Sequence, residues 1–469
     1  MMRGTLAALA AVAAKEERRL FIVGGFVRDA LMGIQSRDVD MVVNDEAEQF
    51  AKHVSWRLRG GYELLNSKLQ FSRVTVCADD GLPLTLDFSL QRGRHIADDL
   101  CFRDFTVNAM AISLEDYLKG DGWEDYVSDP CGGKADLAAG LLRLTSEECL
   151  RDDPVRLLRS ARFLHKVGLR LDGETAEMIR RNAPLIRQSA KMKLAIEFFQ
   201  LLSAPQAADG IRVLHYDLNV LSSFFPPLGT MACVSEGGED LLTHGLRTCD
   251  CLDEFLSTTS CFPGRLVEQL HSHLKTEVTD RRRRLAYLRL ACLIHDIGKL
   301  DASAACTAHL FSHEQAGEAY VGSLARLLKL SEGESALLTA LVCAHSRVLY
   351  IEEGPAGLAG KLRFFRQFGD YVPELILLGI ANLSAQGRCS DERVAILISI
   401  LDEYFSGAGQ ELPAPIISAR EVMEFFNLPP SRAVGGLLEQ SYAAQLSGTV
   451  KTHGQALALI STLIDRWER

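Results

Sequence analysis

The sequence is poor in several features that mark specialised classes of protein. Only 14 of its 469 residues are proline, which together with many Ala/Leu runs predicts a largely helical chain. It has no internal repeat and no low-complexity segment, and no apolar run approaches the length of a transmembrane helix. Basic residues are too few to balance the acidic ones, so the formal net charge is −10. That charge weighs against a nucleic-acid partner, although a basic stripe on an acidic body can still bind one.

The 12 cysteines form no CxxC pair and no spacing typical of a disulfide framework. Scattered cysteines in a long chain predict reduced, buried thiols and a cytoplasmic protein. Near the N-terminus, a short apolar stretch runs directly into the charged residues 15–19, which leaves no room for a cleavage site. We therefore expect an amphipathic first helix rather than a signal peptide.

Strand-like patterns are confined to the first third of the chain. They lie at residues 20–25, 39–43, 71–76 and 84–90. The last two runs alternate like the strands of a hairpin. From about residue 146 onward the patterns have helical period, up to a Gly/Pro-containing linker at 406–415 and a final small helical segment. The sequence predicts an α+β protein, with a mixed-sheet head followed by an all-helical body.

The strongest local signal is the segment GGFVRDALMGIQSRDVDMVV. Gly24 and Gly25 end a strand and open a helix, so backbone N–H groups can approach a phosphate. Arg28 on the first helical turn can pair with phosphate oxygens. Asp38 and Asp40 are two apart on a predicted strand and point to the same face. Such a pair suits Mg²⁺, which can activate a 3′-hydroxyl and stabilise a leaving pyrophosphate.

This segment resembles motif A of the class II CCA-adding enzymes and bacterial poly(A) polymerases, whose pattern is GGxVRD…DxD. Three later segments resemble further motifs of that family in the family's order: ADDLCFRDFTVNAMAI, YVSDPCGGKADLAAGLLR and RDDPVRLLRSARFLHKVGLRL. The resemblance implies a polymerase-beta-like nucleotidyltransferase head that adds CMP or AMP, from CTP or ATP, to the 3′ end of tRNA. It also implies that Asp38 and Asp40 are catalytic and hold Mg²⁺.

Three other residues of the head are candidates for the same site. Arg103 and Asn108 lie where a helix is expected to begin near the carboxylate strand, so they can hold triphosphate and sugar. A surface ion pair between Arg103 and Asp104 is the simpler alternative. Asp87, on a predicted neighbouring strand, is a candidate third catalytic carboxylate, although a solvent-facing strand residue fits its pattern equally well.

The segment that follows the head is a candidate for reading the nucleotide base. Arg156, Arg159 and Arg162 share one side of a predicted helix, which is either a nucleotide-binding or a solvated basic face. In the family, a carboxylate and an arginine of this segment hydrogen-bond to the base edge of CTP or ATP, a role that the resemblance assigns to Asp153 and Arg156. The chain departs at Asp152, where the family usually has Glu. The shorter side chain is expected to loosen the orientation of Arg156.

A second group of candidates lies in the helical body, around the apolar helix ACLIHDIGK. The group resembles an HD-type metal-dependent phosphohydrolase domain, which follows the head in some CCA-adding enzymes. The resemblance implies a transition-metal site formed by His244, His295, Asp296, His313 and His345. Taken alone, an HD pair fits a buried structural histidine. Asn382 stands where the family has its last metal-binding Asp, so we expect a degenerate or weakly metal-binding HD domain.

These resemblances divide the chain into four predicted parts. They are a catalytic head (1–145), a helical neck that binds the base and RNA (146–235), an HD-type domain (236–405) and a C-terminal helical unit (406–469). Four consecutive arginines at 281–284 indicate either an RNA contact or, more commonly, a solvated charge run.

Several functions fit these parts, and tRNA 3′-end synthesis is favoured among them. Residues 61–81 do not resemble the Arg- and His-rich segment of poly(A) polymerases. Partial addition of CC or of A is the nearest alternative. Two more distant alternatives are an HD-domain phosphohydrolase with a degenerate nucleotide-binding head and a non-catalytic RNA-binding protein. The intact carboxylate pair disfavours both.

Overall fold

The computed structural model describes most of the chain. The described residues are 2–67, 70–258, 263–279, 282–302, 312–351, 354–407, 413–446 and 448–467. Their contacts divide the chain into two compact units. The first unit consists of Met1–Glu197 and Arg212–Phe224, and the second of Phe198–Ile211 and Phe225–Arg469. The finer four-part division stays a prediction.

The first unit combines helices with one large sheet. Its helices are α1 (Arg3–Lys15), α2 (Gly25–Leu31), α3 (Ala47–Leu58), α4 (Ile96–Cys101), α5 (Leu114–Lys119), α6 (Gly133–Ala138), α7 (Glu148–Asp152), α8 (Arg156–Val167), α9 (Gly173–Asn182) and α12 (Leu221–Phe224). Its strands are β1 (Leu20–Val23), β2 (Asp38–Val43), β3 (Gly61–Asn66), β4 (Phe71–Cys77), β5 (Pro83–Leu90), β6 (Ala111–Ser113), β7 (Leu141–Leu142) and β8 (Arg170–Leu171). Both units contain parts of α10 (Lys191–Ser203) and α11 (Ala207–Arg212).

The second unit is helical apart from short ladders. Its helices are α13 (Pro226–Met231), α14 (Leu241–Ser257), α15 (Gly264–Lys275), α16 (Arg284–Ile294), α17 (Lys299–Ala302), α18 (Ser312–Leu328), α19 (Glu332–Ala344), α20 (Gly354–Phe368), α21 (Val372–Ala385), α22 (Asp391–Phe405), α23 (Ala419–Phe425), α24 (Arg432–Leu446) and α25 (His453–Trp467). The ladders are formed by β9 (Ser235–Glu236), β10 (Glu239–Asp240), β11 (Glu277–Thr279) and β12 (Arg282–Arg283).

The large sheet has the strand order β3-β4-β5-β2-β1-β6. Only β2 and β5 run parallel, and the other neighbours are antiparallel. Residues alternate between the faces of β2, so Val39, Met41 and Val43 pack into the main hydrophobic core. Asp38 and Asp40 therefore lie on the opposite face of the sheet. The predicted mixed-sheet head followed by a helical body is confirmed.

Most of the predicted elements are confirmed, including the first helix and the four strand runs of the head. The sequence patterns did not predict β3, whose residues are exposed or only partly buried. They also missed β6, which has three residues, and the short ladders of the body, which are too brief to show a period. Among the described residues, no helix combines the length and apolar character that a bilayer crossing requires.

Two arginines of the run at 281–284 form internal ion pairs, whereas Arg283 is exposed. Arg282 Nη1 donates to Glu334 Oε1 over 3.0 Å, and Arg284 Nη1 donates to Glu374 Oε1 over 2.8 Å. Both carboxylates are buried, so these ion pairs are internal. Arg281 lies outside the described residues, as do residues 408–412 of the predicted linker.

Candidate active site

The first unit contains a cavity of about 580 Å³, a size that suits a small-molecule ligand. Side chains from β2, β5, α2, α8 and the segment after α4 line it. The structure thereby brings most of the predicted site residues together. They are Gly24, Gly25, Arg28, Asp38, Asp40, Asp87, Arg103, Asn108, Arg156, Arg159 and Arg162. Asp153 is not among the described residues that line the cavity.

Asp38 and Asp40 present their carboxylates on the cavity side of β2, Asp38 exposed and Asp40 half-buried. Burial raises the pKa of Asp40 to about 6, the Arg103 guanidinium opposes that rise, and Asp87 and Asp38 add to it. Carboxylates crowded in this way repel one another unless a cation lies between them. The oxygen donors and their crowding fit a hard divalent cation.

Asp87 lies directly opposite Asp40 in the parallel β2–β5 pair. Its side chain is buried, and Arg73 on β4 donates to both of its carboxylate oxygens, from Nε and Nη2, each over 2.7 Å. Such a bidentate pair already neutralises the carboxylate. The contacts of Asp87 therefore favour a supporting role beside Asp40, and its predicted catalytic role stays a prediction.

Gly24 is fixed in place by its backbone and its neighbours. Its φ of +70° lies in the region that favours glycine. A Cβ atom there would lie 3.2 Å from Arg103 Nη1 and 3.5 Å from Asp40 Oδ2. The Gly24 N–H donates to the Met110 carbonyl over 3.1 Å, so it is not available to a phosphate as the sequence had suggested. Gly24 instead allows the arginine and the carboxylate to approach the backbone closely.

Arg28 and Asn108 form a buried pair at the edge of the cavity. Arg28 Nη1 donates to Asn108 Oδ1 over 2.5 Å, and Arg28 Nε donates to Asp29 Oδ1 over 2.9 Å. Asn108 Nδ2 in turn donates to Asp104 Oδ1 over 3.2 Å. Because these protein partners already occupy the guanidinium, the contacts favour a positioning role for Arg28 over the predicted phosphate contact.

Arg103 is the cation best placed to reach a ligand beside the carboxylate pair. Asp99 Oδ2 accepts bonds from its Nε and Nη2, each over 3.2 Å, which fixes one edge of the guanidinium. The side chain of Asp99 is buried, whereas that of Arg103 remains 23% exposed. This geometry leaves Nη1 near Gly24 and Asp40, where it suits phosphate oxygens.

The three arginines of α8 line the cavity on one helix face, as the spacing predicted. Arg156 donates to the carbonyls of Cys149 and Phe102, over 3.0 and 2.9 Å. Arg159 pairs with Asp104 over 3.3 Å. Burial opposes ionisation of Asp104, but Arg159 and Arg156 hold the pKa of that carboxyl below its usual value.

Asp153 is held on the outside of this arrangement. Lys193 Nζ on α10 donates to Asp153 Oδ2 over 2.7 Å. The predicted partnership of Asp153 with Arg156 in base recognition is not formed in these contacts, and it stays a prediction.

The sequence patterns did not predict a role in the site for three residues. Phe163 lies under the guanidiniums of Arg28, Arg159 and Arg162, at 5.5, 5.4 and 4.6 Å from the ring centroid. Glu197 accepts from Arg162 Nε over 3.0 Å and also pairs with Arg159. Asp104 follows Arg103 in the motif and was considered only as its surface partner. The adjacent RDF pattern could have indicated Asp104, but no local signal connects Glu197 with residues 35 positions earlier.

Comparison with known proteins identifies the family of this chain. The family described as "Poly A polymerase head domain" matches residues 20–143, and "Probable RNA and SrmB- binding site of polymerase A" matches residues 168–230. An A-adding tRNA nucleotidyltransferase of Deinococcus radiodurans is 30% identical over 95% of both chains. The chain belongs to the family of tRNA nucleotidyltransferases and bacterial poly(A) polymerases. The family predicted from the sequence motifs is confirmed.

Other members of this nucleotidyltransferase family agree in length and fold. A CC-adding tRNA nucleotidyltransferase of Synechocystis is 26% identical over 94% of this chain and 93% of its own. The solved Thermotoga maritima CCA-adding enzyme complexed with tRNA is 19% identical, has a TM-score of 0.57, and matches over 98% of this chain and 95% of its own. Nucleotidyltransferases of this kind generally use a divalent metal, which is consistent with the carboxylate pair.

The second unit of this nucleotidyltransferase contains the predicted histidine cluster. We use that name for His244 on α14, His295 and Asp296 after α16, and His345 after α19. The rings of His244 and His295 are 5.2 Å apart, and those of His295 and His345 are 5.0 Å apart. The side chain of the predicted ligand His313 lies outside the described residues.

Backbone carbonyls orient two imidazoles of the cluster towards Asp296. His295 Nδ1 donates to Cys292 O over 2.9 Å, and His345 Nδ1 donates to Val342 O over 2.8 Å. The Nε2 atoms then face the carboxylate of Asp296, at 3.4 and 3.7 Å. A carbonyl that fixes the other ring nitrogen is the usual support of a metal-binding histidine.

His244 and Asn382 depart from that arrangement. Asn382 Oδ1 accepts from Gln386 Nε2 over 2.9 Å and lies 3.0 Å from His244 Nε2. An amide oxygen only accepts, so this contact favours a hydrogen on His244 Nε2, which that nitrogen has to give up before it can ligate a metal. Lys299 Nζ also donates to Asp296 Oδ2 over 2.9 Å. The cluster therefore has the ligand types of a metal site, but protein groups already satisfy part of it.

Proposed function

We propose that this nucleotidyltransferase transfers CMP or AMP from CTP or ATP to the 3′ end of tRNA. The observation that carries the proposal is the cavity in which the Asp38–Asp40 pair faces Arg103 and the three arginines of α8. Carboxylates for a cation and guanidiniums for phosphate or base are the two groups that template-independent nucleotidyl transfer requires. Relatives that match the chain over nearly its full length include CC-adding and A-adding tRNA nucleotidyltransferases.

Each side chain of the cavity has a distinct role in this proposal. Arg103 binds triphosphate oxygens, because its free edge lies beside Asp40 and Gly24. Arg28 holds Asn108 in the position from which its amide can meet the sugar. The carbonyls of Cys149 and Phe102 accept only two of the five N–H donors of Arg156, and the remaining donors bind the base edge. Asp153 joins Arg156 in this role once its carboxylate is released from Lys193.

Asp38 and Asp40 are the residues that would hold Mg²⁺. When bound there, the cation supplies activation of the 3′-hydroxyl and neutralisation of the departing pyrophosphate. Asp87 is paired with Arg73, but its negative charge still adds to the rise in the pKa of Asp40.

The tRNA end is a better-supported acceptor than a general RNA end. Poly(A) polymerase I of Escherichia coli is 29% identical to the chain but matches over only 44% of it. We also propose a cytoplasmic location, because the described cysteines are free thiols, which is typical of a reducing compartment.

The test is incubation of the full-length protein with Mg²⁺, labelled CTP or ATP, and tRNAs that end at the discriminator base, at C or at CC. Addition to at least one of these ends is the expected result, and the substrate used separates CCA, CC and A addition. The double variant Asp38→Ala/Asp40→Ala controls for contaminating enzymes and should add nothing while its circular dichroism is unchanged. Absence of addition to all three tRNAs by the unmodified protein would refute the proposal.

A second candidate function rests on the histidine cluster. We infer that it is a weakened HD-type transition-metal site, because His295 and His345 are oriented as ligands while Asn382 and Lys299 occupy neighbouring positions. Hydrolysis of 2′,3′-cyclic nucleotides with added Ni²⁺ or Mn²⁺ tests this inference. We expect no turnover above that of His295→Ala, and robust hydrolysis would show that the site is fully active.

A further inference from the structure

Cys101 and Cys131 bring two thiols into contact in the first unit. Their Sγ atoms are 3.7 Å apart, although the residues are 30 positions apart in the sequence. Cys101 is the last residue of α4 and is exposed, whereas Cys131 precedes α6 and is half-buried. The expectation of scattered, buried thiols is therefore wrong for this pair, because the fold brings two motif segments together at the surface.

The position of Cys131 is supported by its surroundings. Cys131 packs against a buried cluster that includes Val23 and Leu100. The turn that carries it is fixed by Asp129, whose carboxylate accepts from the N–H groups of Gly133 and Lys134 over 2.7 and 2.9 Å. A disulfide bond is about 2.05 Å long, so the sulfur atoms need to approach by less than about 2 Å, which a side-chain rotation and a small backbone shift can supply.

We propose that Cys101 and Cys131 form a redox-modification site for low-molecular-weight disulfides such as oxidised glutathione. The exposed Cys101 thiolate attacks one sulfur of the reagent, forms a mixed disulfide and releases one thiolate. Cys131 then loses its proton, and its thiolate attacks Cys101 Sγ and expels the second thiolate. The two departing thiolates take up the two protons that the cysteines lose, so two cysteines are oxidised while one disulfide is reduced to two thiols.

The order of the two steps follows from exposure and charge. Burial, together with the neighbouring Cys101 thiol, raises the pKa of Cys131 to about 12. Cys131 is therefore a thiol at neutral pH, and the more accessible Cys101 reacts first with a dissolved reagent. Cys249 and Cys292 in the second unit are both buried, so the same reagent does not reach them.

The pair is connected to the nucleotide cavity by the residues that follow Cys101. Phe102 and Arg103 both line the cavity. The Phe102 carbonyl accepts from Arg156 Nη2 over 2.9 Å, and Asp99 on α4 holds Arg103. A displacement of about 1 Å in a positioning group can cost up to 10²-fold in rate. Oxidation of the pair is thus expected to slow nucleotide addition; this consequence rests on the proposed function, whereas the thiol chemistry does not.

The thiol chemistry is tested by incubating the full-length protein with oxidised glutathione, blocking free thiols and mapping unreduced peptides by mass spectrometry. A cross-linked peptide pair containing Cys101 and Cys131 is expected in the unmodified protein. In Cys131→Ser, a glutathione adduct on Cys101 is expected instead. Cys77→Ser, which removes another exposed cysteine, should leave the cross-link unchanged. Adducts on Cys101 without any cross-link would overturn the proposal.

The effect of the disulfide on the cavity is tested by measuring the rate of nucleotide addition. The rate is measured before oxidation, after oxidation, and again after reduction with dithiothreitol. We expect a loss of about tenfold that reduction reverses, and no loss in Cys101→Ser. A complete cross-link without a change in rate would refute the link to the cavity. If the reduced protein adds no nucleotide to any RNA, the proposed function fails, while the mass spectra still decide whether the site exists.

Discussion

The carboxylate pair of the first unit and the histidine cluster of the second unit are both built from residues that bind metals, but they differ in what already surrounds them. Asp38 and Asp40 lie in an open cavity close to the carboxylate of Asp87, and arginine side chains line the same cavity. In the histidine cluster, Lys299 donates a hydrogen bond to Asp296, and Asn382 forms a hydrogen bond with His244. The type of residue predicts a possible ligand, but its existing partners decide whether the ligand position is available.

The two sites also differ in the side chains that support them. Guanidiniums line the cavity of the first unit, and acidic residues hold several of them in place. Asp99 holds Arg103, and Glu197 holds Arg162. These pairs pre-orient charge for a polyanionic ligand. The supports of the histidine cluster are neutral carbonyls, which orient imidazoles for a cation but offer nothing to a triphosphate. We infer that nucleotidyl transfer takes place in the first unit.

The largest expected effect is at the cation that faces the carboxylate pair. Arg103→Ala should lower kcat/KM for nucleotide addition by about 10²-fold, because the developing charge on the triphosphate loses its nearest fixed cation. Arg103→Lys should recover part of the rate. Steady-state kinetics with CTP and ATP checks this. Arg283→Ala, which removes an exposed arginine of the second unit, is the matched control and should leave the rate unchanged.

A substitution in the second unit should make the two sites more alike. Asn382→Asp restores a carboxylate that can accept from His244 or ligate a cation, so we expect about tenfold tighter binding of Ni²⁺ or Mn²⁺ at the histidine cluster. Isothermal titration calorimetry measures it. Asn427→Asp adds the same charge at an exposed position and should not change the affinity. Equal affinities in all three proteins would contradict the view that Asn382 weakens the site.

The carboxylate pair should respond to pH in a way that depends on the cation. Since burial raises the pKa of Asp40 to about 6, the residue is protonated below that pH and cannot ligate a metal. At low Mg²⁺ the rate of addition should fall by about tenfold per pH unit below the midpoint. Raising Mg²⁺ should move the midpoint to lower pH, because cation and proton compete for the carboxylate. A midpoint that does not depend on Mg²⁺ would argue against Asp40 as a ligand.

The smallest expected effect separates backbone strain from crowding at the site. Gly24 and Gly33 have φ values of +70° and +74°, but only a Cβ on Gly24 meets neighbours within 4 Å, among them Arg103 and Asp40. Alanine at either position should cost about 1–3 kcal/mol of unfolding free energy, because a residue with a Cβ rarely adopts these φ values. Only Gly24→Ala should also raise KM for CTP or ATP several-fold. Chemical denaturation measures the loss of stability in both variants, and steady-state kinetics measures KM.

The sequence predicted those parts of the site that adjacent residues specify. Asp38, Asp40 and Gly24 lie in one strand–turn–helix segment, and Arg156, Arg159 and Arg162 share one helix face, so local periodicity places them. Other parts of the site depend on strand pairing and helix packing over long sequence separations. These are the register that sets Asp87 beside Asp40 and the partner residues Arg73 and Glu197. The sequence pattern did not predict the internal ion pairs of Arg282 and Arg284 for the same reason. A run of charged residues does not show which buried carboxylates its members contact.

The assignment of nucleotidyl transfer to the first unit is tested most directly by one side-by-side measurement. Mg²⁺-dependent addition of labelled nucleotide to tRNA is measured in the unmodified protein, in Asp40→Asn and in His295→Ala. We expect Asp40→Asn to lose at least about 10²-fold in rate and His295→Ala to retain the rate of the unmodified protein if it remains folded by circular dichroism. An active Asp40→Asn, or a folded His295→Ala without addition, would contradict the assignment.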